Sequence, residues 1–283
     1  MPGPDPDEVR LQVERALYED YRGSDLTARA VLPEGQRCWA RVVAREPGLL
    51  CGVAVAEAVF RQLDPDLALE ERCHDGDALQ PGQVLLELQG RAQPVLAGER
   101  VALNFLQHLS GIASLAREYS SRASAHGVVI LDTRKTIPGL RELEKYATRV
   151  GGVQNHRLGL FDAILIKDNH LDLAGGLRAA LERATGRVAA SEIEVEVRSL
   201  KELELALPFG VGRVLLDNFT PAEVAQAVAL VAHRCLVEVS GGVNLENLDR
   251  YLDARPDYIS VGRLTHSAPA LDLALEVRAA PPG

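Results

Sequence analysis

From about residue 127 onward, short apolar runs recur at near-regular intervals, each followed by a stretch of helical period, and this alternation limits the possible folds more than any other feature. The runs are Val128-Val-Ile-Leu131, Ala163-Ile-Leu-Ile166, Ile193-Glu-Val-Glu-Val197, Val214-Leu-Leu216, Leu236-Val-Glu-Val239 and Tyr258-Ile-Ser-Val261. Strands that alternate with helices pair in parallel, because each crossover helix returns the chain to the same end of the sheet. Six such strands fall short of a closed eight-stranded barrel, so the expected class is α/β with an incomplete barrel of parallel strands. Thr220-Pro-Ala-Glu223 reads as a helix start, with threonine at the N-cap, proline at the first position and glutamate at the third. Asn244 and Ser267 read as weaker caps of the same kind.

The first ~110 residues follow a different rhythm, in which Gly, Pro and Asp break short apolar runs, as in Gly48-Leu-Leu-Cys-Gly52 and Gly76-Asp-Ala-Leu-Gln-Pro-Gly82. Val53 to Leu63 has helical spacing, with Val55, Ala58, Val59 and Leu63 on one face. This half is expected to be a compact α+β domain. Its hairpins around Gly76–Gly90 are similar to those of biotinyl and lipoyl carrier domains. Carriers attach their cofactor to lysine, and the first lysine here is Lys135, so a carrier function is excluded. The expected division is an N-terminal domain over 1–110, a barrel over 111–266 and a C-terminal helix over about 267–283 packing back on the first domain.

With 31 Lys and Arg against 40 Asp and Glu, the net charge of −9 argues against a nucleic-acid binder. Four cysteines, Cys38, Cys51, Cys73 and Cys235, form no C-x-x-C pair and suggest neither a disulfide framework nor a zinc site. The turn-rich, acidic start is unlike a signal peptide, and no uncharged run reaches the ~18 residues needed to span a bilayer. The expectation is a cytoplasmic protein without a membrane partner.

Functional residues of parallel barrels collect at the carboxyl ends of the strands. Here those ends carry Asp132-Thr-Arg-Lys135, Lys167-Asp-Asn-His170, Asp217-Asn218, Ser240-Gly-Gly242 and Gly262-Arg263, with Glu196 inside the third run. Glu192, Glu194 and Glu196 alternate with Ile193, Val195 and Val197, so all three acids are expected on one strand face, turned inward. Arg134, Lys135, His156, Arg157, Lys167 and His170 gather six basic groups within 37 residues of an acidic chain that has only four lysines in all. Such a concentration fits an anion site, with arginine gripping carboxylate or phosphate bidentately; the plainer reading is a set of salt bridges to Glu142, Glu144, Asp162 and Asp168. The glycine loops at Ser240–Gly242 and Gly262–His266 offer backbone N–H groups to a phosphate. Glu196 and Asp217 together suit Mg²⁺, which prefers oxygen ligands.

Glu99-Arg-Val-Ala-Leu-Asn-Phe-Leu-Gln-His-Leu-Ser-Gly-Ile-Ala113, Asp132-Thr-Arg-Lys-Thr-Ile-Pro-Gly-Leu-Arg141, Gly151-Gly-Val-Gln-Asn-His-Arg157, Ile166-Lys-Asp-Asn-His170 and Glu194-Val-Glu-Val197 strongly resemble the quinolinate phosphoribosyltransferases, also called carboxylating nicotinate-nucleotide pyrophosphorylases. Glu19-Asp-Tyr-Arg-Gly-Ser-Asp-Leu-Thr27 resembles that family's opening signature, with Tyr21, Arg22 and Ser24 departing from it. The resemblance implies an N-terminal α+β sandwich domain, conversion of quinolinate and 5-phosphoribosyl 1-pyrophosphate to nicotinate mononucleotide, pyrophosphate and CO2 with Mg²⁺, and a homodimer in which Arg100 reaches the partner's site. It implies that Arg134, His156, Arg157 and Lys167 hold the quinolinate carboxylates beside Thr133, with His170 near. Lys135, Glu196 and Asp217 would serve the phosphoribosyl pyrophosphate and its Mg²⁺. Ser240, Gly241, Gly242, Gly262, Arg263 and His266 would surround the 5′-phosphate. Three alternatives stand beside this: a molybdenum-transport-associated relative, an aldolase-type barrel using Lys167 as a Schiff base, and a non-catalytic sensor of phosphate ligands.

Overall fold

The structure is a computed structural model and describes residues 3–280. Its first elements are α1 (Pro6–Asp20), α2 (Leu26–Val31), β1 (Arg37–Ala44), β2 (Gly48–Leu49), α3 (Val53–Leu63), β3 (Ala68–Glu71), β4 (Ala78–Leu79), β5 (Val84–Arg91) and α4 (Ala92–Ser124). Next come β6 (Val129–Leu131), α5 (Arg141–Val150), β7 (Ile164–Ile166), α6 (Asp168–Ala174), α7 (Leu177–Thr185), β8 (Ile193–Val197) and α8 (Leu200–Ala206). The chain closes with β9 (Arg213–Asp217), α9 (Pro221–Val231), β10 (Leu236–Ser240), α10 (Leu248–Leu252), β11 (Tyr258–Ser260), α11 (Arg263–His266) and β12 (Leu273–Ala279).

Two compact units result, and neither is a continuous piece of chain. The first takes the residues up to Arg117, Thr136–Gly152 and those from Ser267 on; the second takes Glu118–Lys135 and Val153–His266. In the first unit an antiparallel sheet of order β12-β1-β5-β3 packs against helices. Asp5 caps α1 through the Asp7 amide at 2.8 Å, and Val9, Val13 and Leu17 turn one stripe of that helix into the core. The face predicted for α3 holds at Val55 and Val59, both fully buried.

The last element differs from expectation, because the C-terminal segment is a strand rather than a helix. Leu273-Ala-Leu-Glu-Val-Arg-Ala has local helical character, yet β1 presents an open edge with seven successive backbone pairs, from Cys38 opposite Ala279 to Ala44 opposite Leu273. That ladder outweighs a weak local preference. Ser267 accordingly opens no helix, and the Pro269 carbonyl lies where only Gly111 leaves room for it, 2.0 Å from where a Cβ would stand. Residues 281–283 of the expected helix lie outside the described residues.

In the second unit the six apolar runs form one parallel sheet of order β6-β11-β10-β9-β8-β7. The two edge strands share no ladder; Leu131 alone bridges to Gln154 near the gap. The result is an incomplete barrel, as the run count required. Thr220 and Glu223 form the predicted capping box of α9, the Thr220 amide donating to Glu223 Oε2 at 2.8 Å. Asn244 caps no helix; it exchanges side-chain and backbone hydrogen bonds with Asn247, and α10 starts only at Leu248. Among the described residues no helix is long and apolar enough to cross a membrane.

Candidate active site

A cavity of about 580 Å³ opens at the carboxyl ends of the parallel strands. From the loop after β6 it receives Thr133, Arg134 and Lys135, and from the segment before β7 it receives His156 and Arg157. Lys167 enters at the end of β7 and Asp217 at the end of β9. Ser240 ends β10 and Gly241 and Gly242 follow it, while Gly262, Arg263 and His266 follow β11. These residues are remote in sequence, and the parallel ladder alone brings them to one rim.

Residues that the motifs did not assign lock several of these loops. Buried Asp132 accepts hydrogen bonds from the Asn155 side chain and, at 2.9 Å, from the His156 amide, which ties the 155–156 segment to the end of β6. Thr265 Oγ1 donates to the Lys135 carbonyl at 2.7 Å, joining the loops after β6 and β11. A Cβ on Gly262 would stand 2.9 Å from Lys135 Cδ, so the absent side chain is what lets the lysine lie across that turn. Gly241 has φ +96°, and a Cβ there would approach Asn218 Oδ1 to 2.3 Å. Asn218, itself left-handed at φ 57°, donates its amide to the Ser240 carbonyl and its side-chain N–H to Asp217 Oδ2, both at 2.8 Å.

Glu196 does not line the cavity, but it sits behind Lys167, whose Nζ reaches Glu196 Oε2 at 2.9 Å. An ion pair with a buried carboxylate is poor preparation for a Schiff base, which needs a neutral nucleophile. His170 is exposed and stays out of the cavity: its Nδ1 accepts the Lys167 amide at 3.0 Å, closing the first turn of α6. Arg100 lies exposed on α4 and is not among the cavity residues. The third run also departs from expectation. Glu194 and Glu196 turn inward and are buried, whereas Glu192 is exposed in a 3-10 turn over Ala190–Glu192. The Gly212 amide bonds the Ala190 and Ile193 carbonyls there, so the strand begins only at Ile193.

The plainer reading of the basic cluster loses one of its counter-ions, because Glu144 is taken by His108 at 2.8 Å. Asp162 accepts the amides of Leu158 and Gly159 and still acts on Arg157 through its charge. Burial, with the neighbouring Arg134 charge, lowers the Arg157 pKa from its ordinary value. Two guanidiniums crowded together in a concave site favour an anion between them.

Beneath these cations His156 and the inward-facing Glu194 join two residues that sequence reasoning missed, Glu238 and Arg213. His156 Nε2 lies 3.3 Å from Glu194 Oε2 and 3.5 Å from Glu238 Oε1, and Arg213 Nη1 lies 2.9 Å from Glu238 Oε2. Burial works against a charged imidazole, but the hydrogen bonds of Glu194 and Glu238 outweigh it and raise His156 to about 9. Burial also raises Glu194 above the ordinary carboxylate range. His156 Nδ1 lies 2.7 Å from the Arg157 amide nitrogen, and Nε2 is the ring atom that faces the carboxylates. His156, Glu194 and Glu238 bring their ligand atoms within 4.8 Å of one another, as a metal site would. With a proton on Nε2 and Arg213 on Glu238, the trio is furnished for a proton instead. The available signal was a charged residue in mid-run: Glu238 in Leu-Val-Glu-Val, and Arg213 ahead of Val214-Leu-Leu.

The family model described as "Quinolinate phosphoribosyl transferase, C-terminal domain" matches residues 112–276, and its N-terminal counterpart matches residues 25–110. The chain belongs to this family. A quinolinate phosphoribosyltransferase relative from Mycobacterium leprae, named nicotinate-nucleotide pyrophosphorylase [carboxylating], is 43% identical over 96% of this chain and 98% of its own. The probable nicotinate-nucleotide pyrophosphorylase [carboxylating] of Bacillus subtilis is 41% identical over 94% of each chain. Among solved structures, NadC from Streptococcus pyogenes superposes with a TM-score of 0.93 at 37% identity, over 99% of this chain and 100% of that one.

Proposed function

We propose that the chain transfers the phosphoribosyl group of 5-phosphoribosyl 1-pyrophosphate to quinolinate, with loss of CO2, giving nicotinate mononucleotide and pyrophosphate for NAD biosynthesis. The observation that carries this reading is the cationic cavity at the strand ends, where Arg134, Lys135, Arg157 and Lys167 surround a space large enough for an anion with several charges. The names of the relatives favour quinolinate over the substrate of a molybdenum-transport-associated protein.

In the proposed reaction Arg134, Arg157 and Lys167 hold the two carboxylates of quinolinate and aim its ring nitrogen at the ribose carbon that bears pyrophosphate. Holding both reactants in line replaces an enzymic nucleophile, since the ring nitrogen is itself the attacking group. As pyrophosphate departs, positive charge builds on the ribose, and the carboxylates of Asp217 and Glu196 offset it. The quaternised ring nitrogen then stabilises the electron pair left when the adjacent carboxylate leaves as CO2, and that carbon takes a proton from water to give the product. Lys135, Ser240 to Gly242, Gly262, Arg263 and His266 are assigned to the phosphates, and Thr133 supports the Lys135 loop through the Lys135 amide at 3.0 Å.

Mg²⁺ belongs to this proposal. Asp217 uses one carboxylate oxygen toward Asn218 and Glu196 uses one toward Lys167, so each retains a second oxygen, the hard donor type that Mg²⁺ takes. Bound there, the ion would supply positive charge to the departing pyrophosphate. A homodimer, with Arg100 of each subunit completing the other's site, is part of the same reading. So is a cytoplasmic location, which the four unpaired thiols support. The test is to incubate the purified protein with quinolinate, 5-phosphoribosyl 1-pyrophosphate and Mg²⁺ and follow nicotinate mononucleotide. Formation with quinolinate but not with nicotinate is expected; no product, or equal turnover of nicotinate, would refute the assignment.

A further inference from the structure

The roles assigned so far leave a buried acid unexplained. Glu238 is wholly buried on β10 and lines the floor of a cavity whose purpose is to hold anions. A carboxylate in that position repels such a ligand and opposes the cations above it, unless its charge is cancelled. His156 supplies part of the compensation at 3.5 Å, and the other part comes from the far end of the sheet. Arg213 is the first residue of β9 and lines not the cavity at the mouth but a second one of about 280 Å³, which meets the first at His156 and Arg157. Its guanidinium packs 4.3 Å from the centre of the Tyr258 ring, places Nη1 2.9 Å from Glu238 Oε2, and stands 3.9 Å from Glu194 Oε2.

We propose that Arg213 is a positioning residue of the anion site: it neutralises Glu238 from beneath, so that the cations at the mouth act on the ligand without an opposing charge below. The inference rests on reading the cavity as the site of an anionic substrate. It predicts opposite effects from removing the two partners of one ion pair. Loss of Arg213 leaves Glu238 with His156 as its remaining charged partner, so that more of its negative charge acts on the ligand, whereas loss of the Glu238 charge removes the repulsion itself.

The experiment is calorimetric titration of the intact protein with quinolinate and, separately, with inorganic pyrophosphate, for the wild type, Arg213→Met, Glu238→Gln and the double variant. Arg213→Met is expected to weaken both anions roughly tenfold or more, Glu238→Gln to bind them at least as tightly as the wild type, and the double variant to return to within about threefold of it. Glu238→Gln weakening binding as much as Arg213→Met, or a double variant no better than Arg213→Met, would show that the pair acts by packing and would overturn the proposal. Arg213→Lys keeps the charge and is expected within about threefold of the wild type. Should Arg213→Met fail to fold, the rank order of Arg213→Lys and Glu238→Gln decides the matter. Binding of pyrophosphate in the predicted order without binding of quinolinate would remove the substrate assignment and leave the charge compensation standing. A wild type that binds neither anion overturns both.

Discussion

Lys167 serves two neighbours at once: its ammonium projects into the cavity and also covers the inward carboxylate of Glu196. Lys167→Ala therefore removes a substrate cation and strips a buried acid of its partner. Turnover is expected to fall by about two orders of magnitude or more, with the far-ultraviolet dichroism unchanged; near-normal rates would remove Lys167 from the site. His156 makes a second residue-scale prediction, through pH. Its folded value, about 9, exceeds the ordinary 6.5, so its contribution to stability is complete below pH 6.5 and is lost as pH rises through about 9. Glu194 is raised as well and acts in the same direction. Urea midpoints measured from about pH 6 to about pH 10 should decline for the wild type and decline less steeply for His156→Asn. Parallel slopes would mean that the cluster does not hold an extra proton.

At the scale of elements, the capping box of α9 lies between two site loops without entering either. Thr220→Ala should cost ~1 kcal/mol in chemical denaturation and leave quinolinate affinity alone. Gly241→Ala tests the opposite kind of position, where a positive φ coincides with close approach of Asn218. It should destabilise by ~1–3 kcal/mol and weaken phosphoribosyl pyrophosphate binding, because relief of the clash shifts the loop after β10. Elements whose identity depends on local pattern were legible in the sequence: the six apolar runs, the α3 face and the Thr220-Pro-Ala-Glu223 start. Those decided by a distant partner were not. Leu273–Ala279 is a strand because β1 lies beside it, and nothing within the segment shows that edge. Glu192 leaves the strand face because the Gly212 backbone pins the preceding turn. The cations of the cavity were visible as a cluster in an acidic chain. Asp132 was legible as a strand-end residue, but Glu238 and Arg213 were hidden, because a single charge in or beside an apolar run has meaning only once the neighbouring strand is known.

At the scale of the whole molecule, the proposed exchange of Arg100 between subunits predicts complementation. Arg100→Ala and Lys167→Ala should each be nearly inactive alone. Mixed under conditions that exchange subunits, they should recover about a quarter of wild-type activity, since half the random dimers are mixed and each rebuilds one of its two sites. No recovery despite verified exchange would place each site within a single chain. The connectivity of the first unit has a bearing on biosynthesis. β1 is made within the first 44 residues, yet one of its two neighbours, β12, spans residues 273 to 279. While the ribosome is still at work, β1 can pair only with β5, and its other edge stays available to any extended strand nearby. A strand made late thus covers the second edge of one made early, and a nascent chain released before it would carry a sticky border where the folded protein has a paired seam.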